Sequence, residues 1–368
     1  MRYPLAKPYI GKAEEKQVLE VLRSGVLSLG PKIAEFEKKF ARFVGTSYAV
    51  AVSSGTAGLH LALLVGGIKK GDEVITSPFS FVASANAILY VGATPVFADI
   101  DPVTYNLDPK EIEKKITKKT KAILVVHIFG QTAHMDAITK IARKYKLKII
   151  EDACESVGAA HKGKQAGTFG ESAVFAFYGN KQMTTGEGGM IVTNSKKLDT
   201  VFRSLRNQGR SEDAHWLVHE KLGYNYRLDE MSAAVGLAQL EKIDFLIRER
   251  QKIARWYQKF LSATKAPLIL PATASENIHT WFVYVVLLPT GVSREKVMKR
   301  LKEVGISTKP YLPSIHLFSF YRKAFGFAPG NFRVSEEVSK RALALPLYIG
   351  LTEKNVASIC KSLVQAVS

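Results

Sequence analysis

Apolar positions fall in short blocks, and the spacing within them alternates between two periods through the first two-thirds of the chain. Val18, Leu19 and Leu22 share one side of a helix that Gly25 should stop, and Ile33, Phe36, Phe40 and Phe43 repeat the pattern before Gly45. The run SYAVAV (Ser47 to Val52) reads instead as a buried strand, leading through SSGT into another helical stretch, GLHLALLVG. Further strands are predicted at EVITS, TPVFADI, KAILVVHIF, LKIIED, SAVFAF and GMIVT. Most are short, rich in β-branched residues and apolar without strict alternation, as expected of strands covered by helices on both faces. Asp108-Pro109 supplies a cap and a first-turn proline for a helix between two of them. Residues 1–245 are thus expected to form an α/β domain around a mostly parallel sheet.

The rhythm changes after Asp229. One long helical stretch is predicted from Glu230 towards Leu261, with Leu237, Leu240, Ile243 and Leu246 at helical spacing. Beyond Pro267 and Pro271 come a strong strand, WFVYVVLL, a helix from about Ser293, a short strand after Gly305, a proline-rich loop and a last helix from Thr352. Residues 246–368 are expected to make a smaller α+β domain. No internal repeat or low-complexity segment interrupts the chain.

Composition narrows the class. At 368 residues, 46% hydrophobic and 23% charged, the chain suits a multi-domain globular protein and neither a disordered nor a fibrous one. No stretch approaches the ~18 uninterrupted apolar residues of a membrane span. The amino terminus has no apolar core for an export signal, and two cysteines make no disulfide framework, so a cytoplasmic enzyme is expected. The 52 basic and 33 acidic residues leave a net charge of +19, which could serve a nucleic acid or a polyanionic small substrate such as a nucleotide. The lysines are dispersed, and no zinc-finger spacing, RNP-like string or zipper accompanies them, which argues against nucleic acid.

Three segments carry candidate chemistry. In SSGTAGLHLAL (Ser53 to Leu63) a strand ends, the chain turns and a helix begins. Gly55 allows close backbone approach, the first N–H groups of the helix favour an anion, and the hydroxyls of Ser54 and Thr56 add donors. Taken alone, this is more readily an ordinary capped helix, and neither a Walker loop nor a dinucleotide fingerprint is present. In LKIIEDACESVGA, Asp152 falls at the carboxyl end of a buried strand, where open α/β sheets place their ligands, with Glu151 on the opposite side. Asp152 could equally cap the next turn. In SAVFAFYGNKQMTTGEGGMIVTN, Lys181 follows an apolar strand and precedes a turn with Gly186, Gly188 and Gly189, a setting that makes a neutral, nucleophilic amine more accessible. A helix start for a phosphate, a carboxylate for a ring nitrogen and an amine for an aldehyde are what pyridoxal phosphate requires.

Nearly the whole chain resembles the nucleotide-sugar aminotransferases, a family of fold-type I pyridoxal-phosphate enzymes. The resemblance runs from LAKPYIGKAEEKQVLEVLRSGVLSLGP through SSGTAGLHLAL, PVFADIDPVTYNLDP, VVHIFGQ, EDACESVGA, NKQMTTGEGGMIVTN and GYNYRLDEMSAA to ALPLYIGLT. It implies a large domain with a seven-stranded sheet, a Schiff base on Lys181 and Asp152 against the pyridine nitrogen. It also implies a phosphate loop at Gly55 and Thr56 and an aromatic, Phe81, stacked on the ring. Asn225 and Arg227 match positions that reach a neighbouring subunit's site, so a homodimer is implied. The string FAFYGNKQMTTGEGG is closest to members resembling GDP-perosamine synthase, which implies amination of a 4-keto-6-deoxy sugar nucleotide with glutamate as donor. Related dehydratases carry histidine where Lys181 stands. Two departures are visible. Ala176 replaces a serine of many relatives, and Glu155, a candidate cofactor contact, occupies a position often filled by glutamine or histidine. Lys309, Tyr311 and His316, in the proline-rich loop, are candidates for substrate contact; for His316, a packed loop residue is the alternative. His215 and His219 have i,i+4 spacing but no third ligand, and no metal site is expected. His127 and His134 are expected to be structural, and Cys154 has no partner histidine to make it a nucleophile.

Overall fold

The computed structural model describes residues 1–210 and 218–368. Helices α1 (Lys12–Ser24) and α2 (Pro31–Val44) precede β1 (Tyr48–Val52), and α3 (Gly55–Val65) follows it directly. Then come β2 (Glu73–Thr76), α4 (Ala83–Tyr90), β3 (Thr94–Phe97), α5 (Pro109–Lys114), β4 (Thr120–Val126), α6 (Met135–Tyr145) and β5 (Lys148–Asp152). A small hairpin, β6 (Ala160–His161) and β7 (Lys164–Gln165), leads to β8 (Ser172–Ala176), β9 (Gly189–Thr193) and α7 (Lys196–Arg206). All seven predicted strands lie in one sheet, in the order β1-β9-β8-β5-β4-β2-β3. β9 alone runs antiparallel to its neighbours, because the loop from Phe177 to Gly188 returns the chain beside β8 without a crossover helix. Asp108 caps α5 by accepting from the Lys110 N–H, with Pro109 at the first helical position.

Strand alternation decides what faces the site. On β8, Phe175 and the following Phe177 point towards α2 and are fully buried, with Phe40 5.1 Å from the Phe175 ring and Phe36 5.5 Å from Phe177. Each such ring contributes about 1.5–3 kcal/mol by burial. Ala176 and Tyr178, on the alternate side, are left facing a cavity at the sheet's carboxyl edge. On β5, Glu151 is buried on the far side from that cavity. There it accepts from the N–H groups of Gly167 (2.7 Å), Phe169 (2.7 Å) and Gly170 (2.7 Å).

The long stretch after Asp229 is two helices rather than one, α8 (Glu230–Glu241) and α9 (Ile243–Ser262). The chain leaves helical geometry at Lys242 (φ −114°, ψ 17°), whose amine is tied to Glu14 of α1 at 2.5 Å. β10 (Asn277–Ile278) pairs with β6, while β11 (Tyr284–Leu287), β12 (Lys309–Pro310) and β13 (Ala342–Leu345) form a separate antiparallel sheet. It is flanked by α10 (Arg294–Glu303), capped by Ser293, and by α13 (Glu353–Val367), capped by Thr352; α11 (Ser319–Phe325) and α12 (Arg333–Arg341) lie between β12 and β13. Tyr3 packs into the core beneath this second sheet, so the first residues join the carboxyl-terminal unit.

α1 forms where predicted, with Gly25 at its end in the left-handed region (φ 70°), but its apolar side is not covered. It packs on α8 through Glu14 and Val21, leaving Leu19 47% and Leu22 50% exposed. Val26, Leu27 and Leu29 continue this exposed apolar face. No described helix is long and apolar enough to cross a membrane.

Candidate active site

A cavity of about 440 Å³ opens at the carboxyl edge of the sheet, a volume within the range of small-molecule sites. Ser54, Gly55, Thr56, Phe81, Asp152, Glu155, Lys181 and Tyr311, all singled out from the sequence, line it. The structure brings them together from segments spread over more than 250 positions.

At one end lies the amino terminus of α3. Ser54 caps it, its Oγ accepting from the Ala57 N–H at 3.1 Å, which leaves the hydroxyl proton to donate. The first N–H groups of a helix have no partner within it, so those of Gly55 and Thr56, which line the cavity, are available to an anion. Two glycines allow this approach. A Cβ on Gly55 would meet the Ala176 Cβ at 2.8 Å and Cys154 Sγ at 2.9 Å, and one on Gly189 would meet the Ser54 carbonyl oxygen at 2.6 Å.

Asp152 forms the floor. Ser84 Oγ donates to its Oδ2 at 2.6 Å and the Cys154 N–H to its Oδ1 at 3.2 Å. Ser80 Oγ lies 2.7 Å from Ser84 Oγ and donates to it, since the Ser84 proton is spent on Asp152. The carboxylate is thus oriented as an acceptor for a proton-bearing partner in the cavity. Burial, reinforced by Asp152, pushes the Cys154 thiol well above its usual range, so it stays a thiol.

Lys181 Nζ stands 3.6 Å from Glu155 Oε1 and 4.0 Å from the centre of the Phe282 ring. Glu155 Oε2 accepts from the Phe129 N–H at 2.9 Å. Burial raises the Glu155 pKa, against the opposing pull of Lys181 and of that N–H, while Asp152 adds to the rise. Because the folded pKa lies above the unfolded value of 4.5, this carboxyl favours folding most fully below about pH 4.5 and loses that advantage as the pH rises through the folded value. Glu155→Gln is neutral throughout and should gain stability relative to wild type as the pH rises from about 4.5 towards neutrality. Thermal melts of cofactor-free protein across that range check this, and parallel curves for the two proteins contradict it.

Phe81 is 60% exposed at the mouth of the cavity. Asn225 and Arg227 do not line it. They belong to an extended segment over α3 in which Tyr224 and Tyr226 turn inward against His60, so Asn225 and Arg227 point the other way; Arg227 NH1 donates to Asn207 Oδ1 at 3.0 Å. Among the proline-loop candidates only Tyr311 reaches the cavity. Lys309 is exposed on β12 outside it. His316, expected at the substrate, is instead fully buried, with Nε2 3.0 Å from Glu336 Oε1. That glutamate also accepts from the Gly330 N–H, at 2.8 Å, and the Phe332 N–H, at 3.1 Å, so the pair braces a loop.

His127 is structural: its Nδ1 accepts from the Ala133 N–H at 3.1 Å, so its Nε2 donates to Glu151 Oε2 at 2.9 Å. His215 lies outside the described residues, and no group of three potential metal ligands occurs among those described. Sequence reasoning overlooked Ser84, Asn180, Tyr178 and Glu187 as cavity residues. Asn180 and Tyr178 flank Lys181 closely and were within reach of a reading by neighbourhood. Ser84 is 68 positions from Asp152, and nothing local marks it. Asn180 Nδ2 lies 3.5 Å from the Tyr311 hydroxyl, while its buried Oδ1 has no partner among the described residues.

The donor set fits pyridoxal phosphate: N–H groups and hydroxyls for a phosphate, an oriented carboxylate for a protonated ring nitrogen, an amine for an aldehyde, and two glycines that let the phosphate turn pack against β8, β9 and Cys154. Comparison with known proteins agrees. The chain is 40% identical to the GDP-perosamine synthase of Caulobacter vibrioides, over 99% of its own length and 98% of that protein's. It superimposes with a TM-score of 0.94 on Helicobacter pylori PseC, an aminotransferase involved in the biosynthesis of pseudoaminic acid, at 29% identity over 99% of this chain and 98% of that one. The PLP-form of Spr1654 from Streptococcus pneumoniae gives a TM-score of 0.93 at 25% identity, again over 99% and 98% of the two chains. Residues 8–364 match the DegT/DnrJ/EryC1/StrS aminotransferase family, and the chain belongs to that family of pyridoxal-phosphate-dependent aminotransferases.

Proposed function

We propose that this enzyme moves an amino group from glutamate to a keto-deoxy sugar nucleotide, with the ketone at carbon 4 of a 6-deoxy sugar, giving an amino-sugar nucleotide. The observation that carries the reading is the convergence of the Lys181 amine, the Asp152 carboxylate and the amino terminus of α3 on one cavity. The sugar class is supported by the relatives: one is named GDP-perosamine synthase, another is an aminotransferase of pseudoaminic acid biosynthesis. The net charge of +19 suits a nucleoside diphosphate.

Bound pyridoxal phosphate supplies an aldehyde that takes an amine and a ring that accepts the electrons released at the adjoining carbon. The protein's own groups do the rest. Ser54, Gly55 and Thr56 hold the phosphate. The Asp152 carboxylate, braced by Ser84 and the Cys154 N–H, keeps a proton on the ring nitrogen. Lys181 Nζ would supply the amine that holds the aldehyde and, when free, would move a proton from the donor's α-carbon to the former aldehyde carbon. Glu155 stands beside that nitrogen and pairs with it while it is charged. Phe81 covers the cavity mouth with its ring.

The reading includes a homodimer. The exposed apolar face of Leu19, Leu22, Val26, Leu27 and Leu29 calls for a cover, and Asn225 and Arg227 point away from their own cavity, towards where a second copy could receive them. The test is a panel of keto-sugar nucleotides supplied with glutamate, with products read by mass. A nitrogen-containing product from a 4-keto-6-deoxy member is expected. Product from 3-keto members alone overturns the position assigned to the ketone, and none from any member overturns the sugar-nucleotide reading.

A further inference from the structure

Arg250, on α9, lies beneath Lys181 on the side away from the cavity. It is 5% exposed, and no carboxylate among the described residues pairs with it. Burial alone pulls its pKa down to about 10, which leaves it charged at neutral pH. A buried cation without an anion is costly unless its donors are well used. Here those of both terminal nitrogens go to main-chain carbonyls from two distant segments, while Nε has no partner among the described residues. NH2 donates to the carbonyl oxygen of Lys181 at 3.0 Å, and NH1 donates to those of Trp281 at 3.2 Å and Phe282 at 3.3 Å.

These two segments meet again at the reacting nitrogen. Phe282 presents its ring to Lys181 Nζ at 4.0 Å, and its N–H donates to the Phe129 carbonyl oxygen at 3.0 Å. The Phe129 N–H in turn donates to Glu155, the carboxyl nearest to Lys181 Nζ. A planar guanidinium has the fixed fork of donors needed to hold carbonyls from two strands of chain at one separation; an ammonium does not.

We propose that Arg250 is a positioning residue for the reaction at Lys181: its guanidinium clamps the carbonyls of Lys181, Trp281 and Phe282, setting the amine against the Phe282 ring, and its unpaired charge disfavours a second positive charge on the Lys181 nitrogen. The inference rests on Lys181 being the residue that tethers the cofactor. Glu155, Asp152, Cys154, Tyr178, Glu187 and Tyr311 line the cavity around Lys181, and Lys7 and Tyr9 lie on the Arg250 side. None of these groups is itself altered by a substitution at Arg250.

The experiment is a pH titration of the visible absorption of the purified holoenzyme, paired with steady-state kinetics. Arg250→Met keeps an unbranched apolar stem and removes donors and charge, so the protonated, lysine-linked form persists to higher pH. The midpoint should rise by about one pH unit, a tenfold increase in proton affinity. Arg250→Lys keeps the charge but cannot span both segments. Its midpoint should stay near wild type while kcat falls by about tenfold and KM changes little. A folded Arg250→Met protein with the wild-type midpoint overturns the electrostatic role, and Arg250→Lys with wild-type kcat overturns the clamp, whether or not the methionine variant folds. A visible band that survives Lys181→Ala overturns the assignment of Lys181 instead, which separates the two failures.

Discussion

Lys181→Ala should lose transamination by at least about 10⁴-fold, because the proposed mechanism gives one nitrogen both the tether and the proton transfer. Its fold should survive. The Lys181 side chain is in contact with Glu155 and the Phe282 ring, whereas the main-chain hydrogen bonds, from the Lys181 N–H to Tyr178 and from Arg250 to the Lys181 carbonyl, are untouched by the substitution. Losing the amine leaves Glu155 buried without its cation, and the carboxyl answers by holding its proton to still higher pH. The expected protein is therefore folded by circular dichroism and inactive, and shows no lysine-linked absorption. In wild type, borohydride reduction followed by peptide mapping should place the cofactor on Lys181. Residual turnover above about one part in a hundred, or a label on another lysine, contradicts the assignment.

The second large effect is expected at Asp152. Asp152→Asn preserves shape and leaves one oxygen to accept from Ser84 or from the Cys154 N–H, so the cavity floor should stay in place. What disappears is the negative charge that the proposed mechanism sets against a protonated ring nitrogen. Removing a preorganised electrostatic group of this kind costs about 10²–10³-fold in rate, equivalent to about 2.7–4 kcal/mol. Cofactor retention should weaken as well, because a neutral amide no longer attracts a protonated ring. The two effects separate experimentally: kcat at saturating pyridoxal phosphate reads the first, and spectroscopic titration of apoenzyme reads the second. An unchanged rate at saturation contradicts the role given to Asp152.

Much of the fold is legible from short windows because the physics is local. The seven strands were found from apolar runs without alternation, which arise when both faces of a sheet are covered. Helix ends at Gly25, Asp108, Ser293 and Thr352 were found because caps act within one turn. The break at Lys242 was not, since periodicity continues through it and the tie to Glu14 comes from 228 positions away. The reversal of β9 also escaped, because strand direction leaves no mark on the composition of a buried strand.

For the site, Lys181, Asp152 and the Ser54–Thr56 turn stand out because each sits at the end of a strand or the start of a helix, where local sequence exposes chemistry. His316 misled for the opposite reason: a histidine in a proline-rich loop looks available, but Glu336 and the Phe332 ring bury it.

The amino-acid sequence by itself determined the class of fold, the order of the Ser54–Thr56 turn, the strand-end aspartate and the lysine, and through its motifs the family. Those follow from periodicity, caps and spacing, all interactions of short range along the chain. Only the tertiary structure decided that these groups face one cavity, that Ser84 orients Asp152, that Glu155 lies beside the amine, and that Arg250 joins Lys181 to Phe282. Those relations depend on packing between segments tens to hundreds of residues apart, where burial and hydrogen-bond geometry, rather than residue type, choose the partners.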